Sequence, residues 1–115
     1  MQPRDAQRLE HILDYCSRIE TTVARLNCSY EAFLNDADLQ QSISFSILQI
    51  GELAGTLSDE LRQTTASEIS WQQVKGMRNI IAHQYGSIRL DVIWNTVTND
   101  IPILKAFCEK QLSEI

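Results

Sequence analysis

The chain has 115 residues, enough for a single domain over residues 1–115, and its 43% hydrophobic residues can fill one core without a metal or disulfides to staple it. A formal charge of −5 and a pI near 4.9 argue against tight, extended nucleic-acid binding, which draws most of its affinity from neutralised phosphates. They suit a partner with a basic surface, and they leave room for a local site where one arginine grips one phosphate.

Pro3 to Leu26 opens the chain with apolar residues at Leu9, Ile12, Leu13, Cys16, Ile19, Val23 and Leu26. Steps of three and four define one face of an amphipathic helix, which Asn27 can end. Arg4, Asp5, Arg8, Glu10, Asp14 and Arg18 mostly lie outside that stripe. Tyr30 to Leu34 predicts one or two helical turns. Asn35-Asp36-Ala37-Asp38 then offers N-caps for a second long helix carrying Leu39, Ile43, Ile47, Ile50, Ala54 and Leu57. Phe45, Leu48 and Leu53 fall off that line, so this helix is expected to be buried on more than one side. Gly51 and Gly55 would let another helix approach closely.

Ser58 can cap a short helix through Leu61. Ser70-Trp71-Gln72-Gln73 reads as a capping box that starts a helix at Trp71, with Gly86 as the residue that ends it after Tyr85. The last helix is expected from Leu90 or Asp91, with Pro102 inside it deleting one backbone bond and kinking it. No alternating strand pattern occurs. The fold class is therefore all-α, an up-and-down bundle of four to five helices.

No run approaches the ~20 apolar residues of a membrane span. Nor does the start have an apolar run behind its basic residue, so no secretory signal is expected and the cytoplasm is the expected location. Cys16, Cys28 and Cys108 are odd in number and lack a C-x-x-C pair, so reduced thiols half-buried in helices are expected rather than disulfides or zinc. Trp71 and Trp94 are expected in the core or at an interface, and His11 on the surface. Asp36, Asp38, Asp59 and Glu60 read as helix starts rather than metal ligands, and no metal or cofactor is expected.

One segment carries chemistry: Gly76 to Gly86, G-M-R-N-I-I-A-H-Q-Y-G. Its plain reading is a solvated helix end with a cation near the C-terminal carbonyls. Its chemical reading starts from Arg78, a permanent cation with a planar fork of donors for a phosphodiester. His83 belongs to the side-chain type that exchanges protons near neutrality. Together they could cleave RNA without a metal, the base taking the 2′-hydroxyl proton and the cation stabilising the phosphorane-like transition state. Asn79 shares a helical face with His83, and Arg78 shares one with Tyr85. Arg78 and His83 are ~140° apart around a regular helix, so they converge only through a bend, the reach of a long arginine, or a two-fold dimer that builds a composite site. Lys75 and Arg89 flank the segment and offer either phosphate attraction or ordinary solvated charge.

R-N-I-I-A-H-Q-Y resembles the signature of the HepT-like toxins of the HEPN superfamily: Arg, four residues, His, one residue, Tyr. The flanks S-I-L-Q-I-G-E-L-A, Asp91, Trp94 and D-I-P-I-L are similar too, so the likeness runs from Ser42 to the C-terminus. The resemblance implies a HEPN-like homodimer acting as a metal-independent endoribonuclease toxin, with RNA as substrate. It puts Arg78 and His83 in the catalytic positions with Asn79 supporting them. Glu52 falls on the family's Gly-Glu pair, as a supporting group or a plain surface carboxylate. Tyr85 falls on the tyrosine that an MntA-like nucleotidyltransferase antitoxin modifies with AMP. Two other readings stay open: a catalytically silent interaction or nucleotide-binding domain that partners a nucleotidyltransferase, and a structural helical dimer.

Overall fold

The computed structural model describes residues 1–82 and 89–115. The described residues contain helices and turns and no strand, so the all-α bundle stands. Its helices are α1 (Pro3–Arg25), α2 (Tyr30–Leu34), α3 (Ala37–Ala54), α4 (Asp59–Thr64), α5 (Trp71–Ala82), α6 (Leu90–Asn95) and α7 (Ile101–Ser113). The bundle is built on α1, α3, α5 and the α6–α7 run, while α2 and α4 are short connectors. None of the helices is long and apolar enough to cross a membrane, among the described residues.

Two predicted caps form, Asp36 and Ser58, which accept the N–H of Leu39 and Leu61, and Ser29, not expected from the sequence, accepts that of Ala32, so three otherwise orphaned donors are paired. Ser70 accepts from the Gln73 N–H at 3.4 Å, but Gln73 makes no return bond, so only half of the capping box is present. Gly86, the expected end of α5, lies outside the described residues.

At the end of α1, Asn27 and Cys28 both take left-handed backbone angles, φ 52° and 56°. The Asn27 N–H donates to the Ala24 carbonyl and the Cys28 N–H to the Val23 carbonyl, both at 3.0 Å. These are the two bonds of a Schellman motif. Asparagine tolerates this geometry better than cysteine, whose Cβ crowds the following carbonyl. Cys28→Gly is therefore expected to raise stability by ~0.5–1 kcal/mol, the gain being trimmed by glycine's unfolded-state entropy. A lower midpoint in thermal unfolding of this variant would count against it.

Leu9, Ile12, Cys16 and Ile19 of α1 meet Ile43, Ile47 and Ile50 of α3, and Ile101, Leu104 and Cys108 of α7 close the same core. Each such aliphatic side chain contributes roughly 1.5–3 kcal/mol by leaving water. Two expectations about α3 need correction. Phe45 is 55% exposed and meets Tyr15 edge-on, although Leu48 and Leu53 are partly buried against the core and α3 packs on both α1 and α5 as expected. The helix also stops at Ala54, leaving Leu57 buried in the turn that follows.

A buried carboxylate is the main surprise of the core. Asp5, only 2% exposed, accepts from the Ser58 N–H at 2.8 Å and its hydroxyl at 2.5 Å. The hydroxyl oxygen in turn accepts from the Leu61 N–H, so Asp5 ties the start of α1 to the cap of α4.

From α4 the fixation passes to α5. The Trp71 indole N–H donates to the Thr65 hydroxyl at 2.8 Å, and the ring packs edge-on against Phe107. Trp94 is half-buried against Phe33 and Tyr30. The predicted kink at Pro102 takes a different form. Residues Thr96–Asp100 make a π-helical turn in which the Ile101 N–H reaches the Thr96 carbonyl, and Pro102 sits in the first turn of α7. The missing N–H falls where the helical chain passes from the π-turn into α7, and the slipped backbone pairing of that turn accommodates it.

Candidate active site

The site is set where α3 crosses α5. A Cβ placed on Gly51 would lie 2.7 Å from Arg78 Cβ and 3.1 Å from the Arg78 backbone nitrogen. The absence of a side chain at Gly51 therefore brings the two helices together at the arginine of the motif. Gly55 is not used this way, since the nearest side-chain atom to its added Cβ would be the flexible Cε of Lys75 at 3.9 Å.

Glu52 follows Gly51 on α3 and accepts a hydrogen bond from Arg78 Nε. Both side chains are about half exposed, at 50% and 40%, so this ion pair adds at most ~1 kcal/mol to the fold. Its consequence is orientation. With Nε held against α3, donation to a ligand falls to the two terminal nitrogens of the guanidinium. One of them reaches the Asn79 side-chain oxygen at 3.4 Å. The structure thus brings together Arg78, Asn79 and Glu52. His83 and Tyr85 lie outside the described residues.

The flanking cations differ. Arg89 is committed to Asp91 at 2.7 Å. That hydrogen bond raises the Arg89 pKa and lowers the Asp91 pKa. Lys75 has no salt-bridge partner among the described residues. It lines a groove of about 450 Å³ together with Gln72, Gly76 and Asn79 of α5, Trp71, and Arg62 of α4. Arg62 drew no attention in the sequence, because nothing in one dimension joins position 62 to position 75.

The two buried thiols offer no competing chemistry. Cys16 and Cys108 are fully buried rather than half-buried, and Cys28 is exposed in the turn rather than held in a helix. Burial first, then Glu109, pushes the Cys108 thiol up to about 12, and burial likewise raises Cys16, so neither presents a thiolate near neutrality. Among the described residues no group of three His, Cys, Asp or Glu side chains is placed to hold a metal ion. His11 is exposed, as expected.

The model of the family described as "Ribonuclease HepT-like" matches residues 12–111 of this chain. The chain belongs to the HepT-like ribonuclease family. Among its relatives, "Putative RNase TTE0752" of Caldanaerobacter subterraneus subsp. tengcongensis is 35% identical over 107 residues, 93% of this chain and 89% of that protein. "Probable ribonuclease HepT" of Thermococcus cleftensis is 30% identical over 102 residues, 89% of this chain and 90% of that protein. No solved structure matches the chain. Family membership bears out the resemblance drawn from the R-N-I-I-A-H-Q-Y segment and its flanks.

Proposed function

We propose that this chain is a metal-independent endoribonuclease toxin of a toxin–antitoxin pair, working as a homodimer. One observation carries the reading: Arg78, the arginine of the motif, packs on Gly51, is held at Nε by Glu52, and reaches Asn79 with one terminal nitrogen. Fixing a cation before substrate arrives is what electrostatic catalysis at a phosphate requires.

In the proposed reaction His83 removes the proton from a ribose 2′-hydroxyl. The oxygen attacks the adjacent phosphorus, and the bond to the 5′-oxygen of the next nucleotide breaks. The products are a 2′,3′-cyclic phosphate and a 5′-hydroxyl that receives a proton. Arg78 neutralises the charge gathering on the phosphoryl oxygens, and Asn79 steadies the guanidinium. The antitoxin is an MntA-like nucleotidyltransferase that uses ATP. The Tyr85 oxygen attacks the α-phosphate, pyrophosphate leaves, and the phenolic proton is lost. The AMP so attached puts a bulky anion two residues from His83, where it repels RNA phosphate.

The reading is tested by RNA cleavage in excess EDTA with end-group analysis, followed by incubation with the nucleotidyltransferase and ATP. Unmodified protein should cut in chelator, leave cyclic-phosphate ends and gain one AMP; Tyr85→Phe should cut and gain none. The net charge of −5 favours a rival, a silent partner-binding domain. A stable complex with the nucleotidyltransferase and no turnover of several RNA classes would decide for that rival.

A further inference from the structure

Gly76 stands in the middle of α5, where glycine costs ~1 kcal/mol relative to alanine. Unlike Gly51, it meets nothing outside its own helical turns: among the described residues no heavy atom beyond its chain neighbours and the backbone of α5 around it lies within 4 Å of the position its Cβ would take. Nothing in the described fold therefore calls for a bare backbone here. The open spot is part of the groove beside the candidate active site. Gln72, Lys75, Gly76 and Asn79 come from one face of α5, and Arg62 faces them from α4. Among the described residues Arg4, Arg8, Arg25 and Lys75 make no salt bridge, and of these four cations Lys75 is the one that lines the groove.

We infer that this groove is a second phosphate subsite, in which Lys75 holds the RNA phosphodiester next to the one at Arg78 while the sugar–phosphate chain lies against the bare backbone of Gly76. The inference rests on the ribonuclease reading. Helix geometry gives the spacing of the two cations. Lys75 precedes Arg78 by three residues, ~4.5 Å of helix rise, so the two cations stand side by side along α5. Asn79 belongs to the groove and also touches Arg78, which makes the two subsites continuous. The floor is not a base-stacking platform, because Trp71 is buried and its indole N–H is already bound to Thr65. Backbone contact through charge is what remains, and it carries no sequence preference. A second copy of the chain fits less well, since a two-fold contact centred on Gly76 would press two Lys75 ammonium groups together.

Lys75→Gln should raise KM for a short RNA oligonucleotide about 10-fold and reduce the salt slope of binding by about one. Gly76→Leu should raise KM at least as much while keeping or raising the thermal midpoint, because leucine is the better helix former. Unchanged KM in both variants, beside active wild type, would overturn the subsite and leave the ribonuclease reading standing. A Gly76→Leu protein that loses oligomer mass in sedimentation would also overturn it, in favour of a subunit contact. Independently of turnover, a 2′-O-methyl oligonucleotide titrated into the full-length His83→Ala protein should shift the amide resonances of Lys75 and Gly76. Shifts confined elsewhere, or none, would reject the groove whatever the wild type cleaves.

Discussion

Arg78→Ala is expected to lower RNA cleavage ~10²–10³-fold, the usual effect of removing one charge-stabilising donor from a reacting phosphate or carbonyl. The fold should survive this change. Alanine keeps the Cβ that packs against Gly51, and only a half-exposed ion pair with Glu52 is lost. His83→Ala should cost ~10²–10⁴-fold, as expected for a general base. The double variant should be scarcely slower than the worse single one, because both groups act on the same transition state. Arg78→Lys separates a fork of donors from mere positive charge: lysine cannot keep one nitrogen on Glu52 while offering two others to phosphate, so most of the activity should go. Single-turnover cleavage rates at saturating RNA, with unfolding midpoints measured alongside, are the test. An Arg78→Ala protein that stays folded and cleaves at the wild-type rate would remove Arg78 from the site.

Much of this arrangement can be read in one dimension, and the reasons are local. The stripe Leu9, Ile12, Cys16, Ile19 announces α1 because a helix repeats every 3.6 residues, and Asp36, Ser58 and Ser70 announce starts because orphaned N–H groups need acceptors. Position 5 precedes Leu9 by four residues and so lies on the same stripe, yet a carboxylate there reads as solvated charge. What buries it is Ser58, a partner 53 residues away that no local pattern reveals. The π-helical turn before Pro102 is equally silent, since the chain can absorb a proline by kinking or by slipping one backbone bond.

The candidate site divides along the same line. Arg78 and Asn79 belong to a contiguous motif and are visible at once. Glu52 is visible only as half of a Gly-Glu pair, and its bond to Arg78 depends on how closely α3 crosses α5. That approach is not encoded at either charged residue. It is encoded at Gly51, whose twin Gly55 looks identical in sequence and has no such contact in the fold.

The two glycines therefore give opposite predictions for one substitution. Alanine is favoured over glycine inside a helix by ~1 kcal/mol, which would stabilise Gly51→Ala on propensity alone, and Gly55, the C-cap of α3, has right-handed angles that alanine adopts without strain. At Gly51 the new methyl would stand 2.7 Å from Arg78 Cβ and 3.3 Å from its Cα, atoms fixed in the helix. They cannot swing aside as a side-chain tip can, so α3 and α5 must move apart along their packed contact. Overpacking of this kind costs ~1–3 kcal/mol and should outweigh the propensity gain. The shift would also carry Glu52 away from Arg78, and a misplacement of ~1 Å at a catalytic group can cost ~10²-fold in rate. Gly51→Ala should thus lower both the unfolding midpoint and the cleavage rate, even well below that midpoint. At Gly55 the methyl would meet the Glu52 carbonyl at 3.4 Å and a mobile lysine stem beyond it, so the midpoint should hold or rise and cleavage should persist. Urea unfolding and single-turnover cleavage of the two variants side by side would decide. Equal stability and equal rates would mean that the close crossing at Gly51 does not position Arg78.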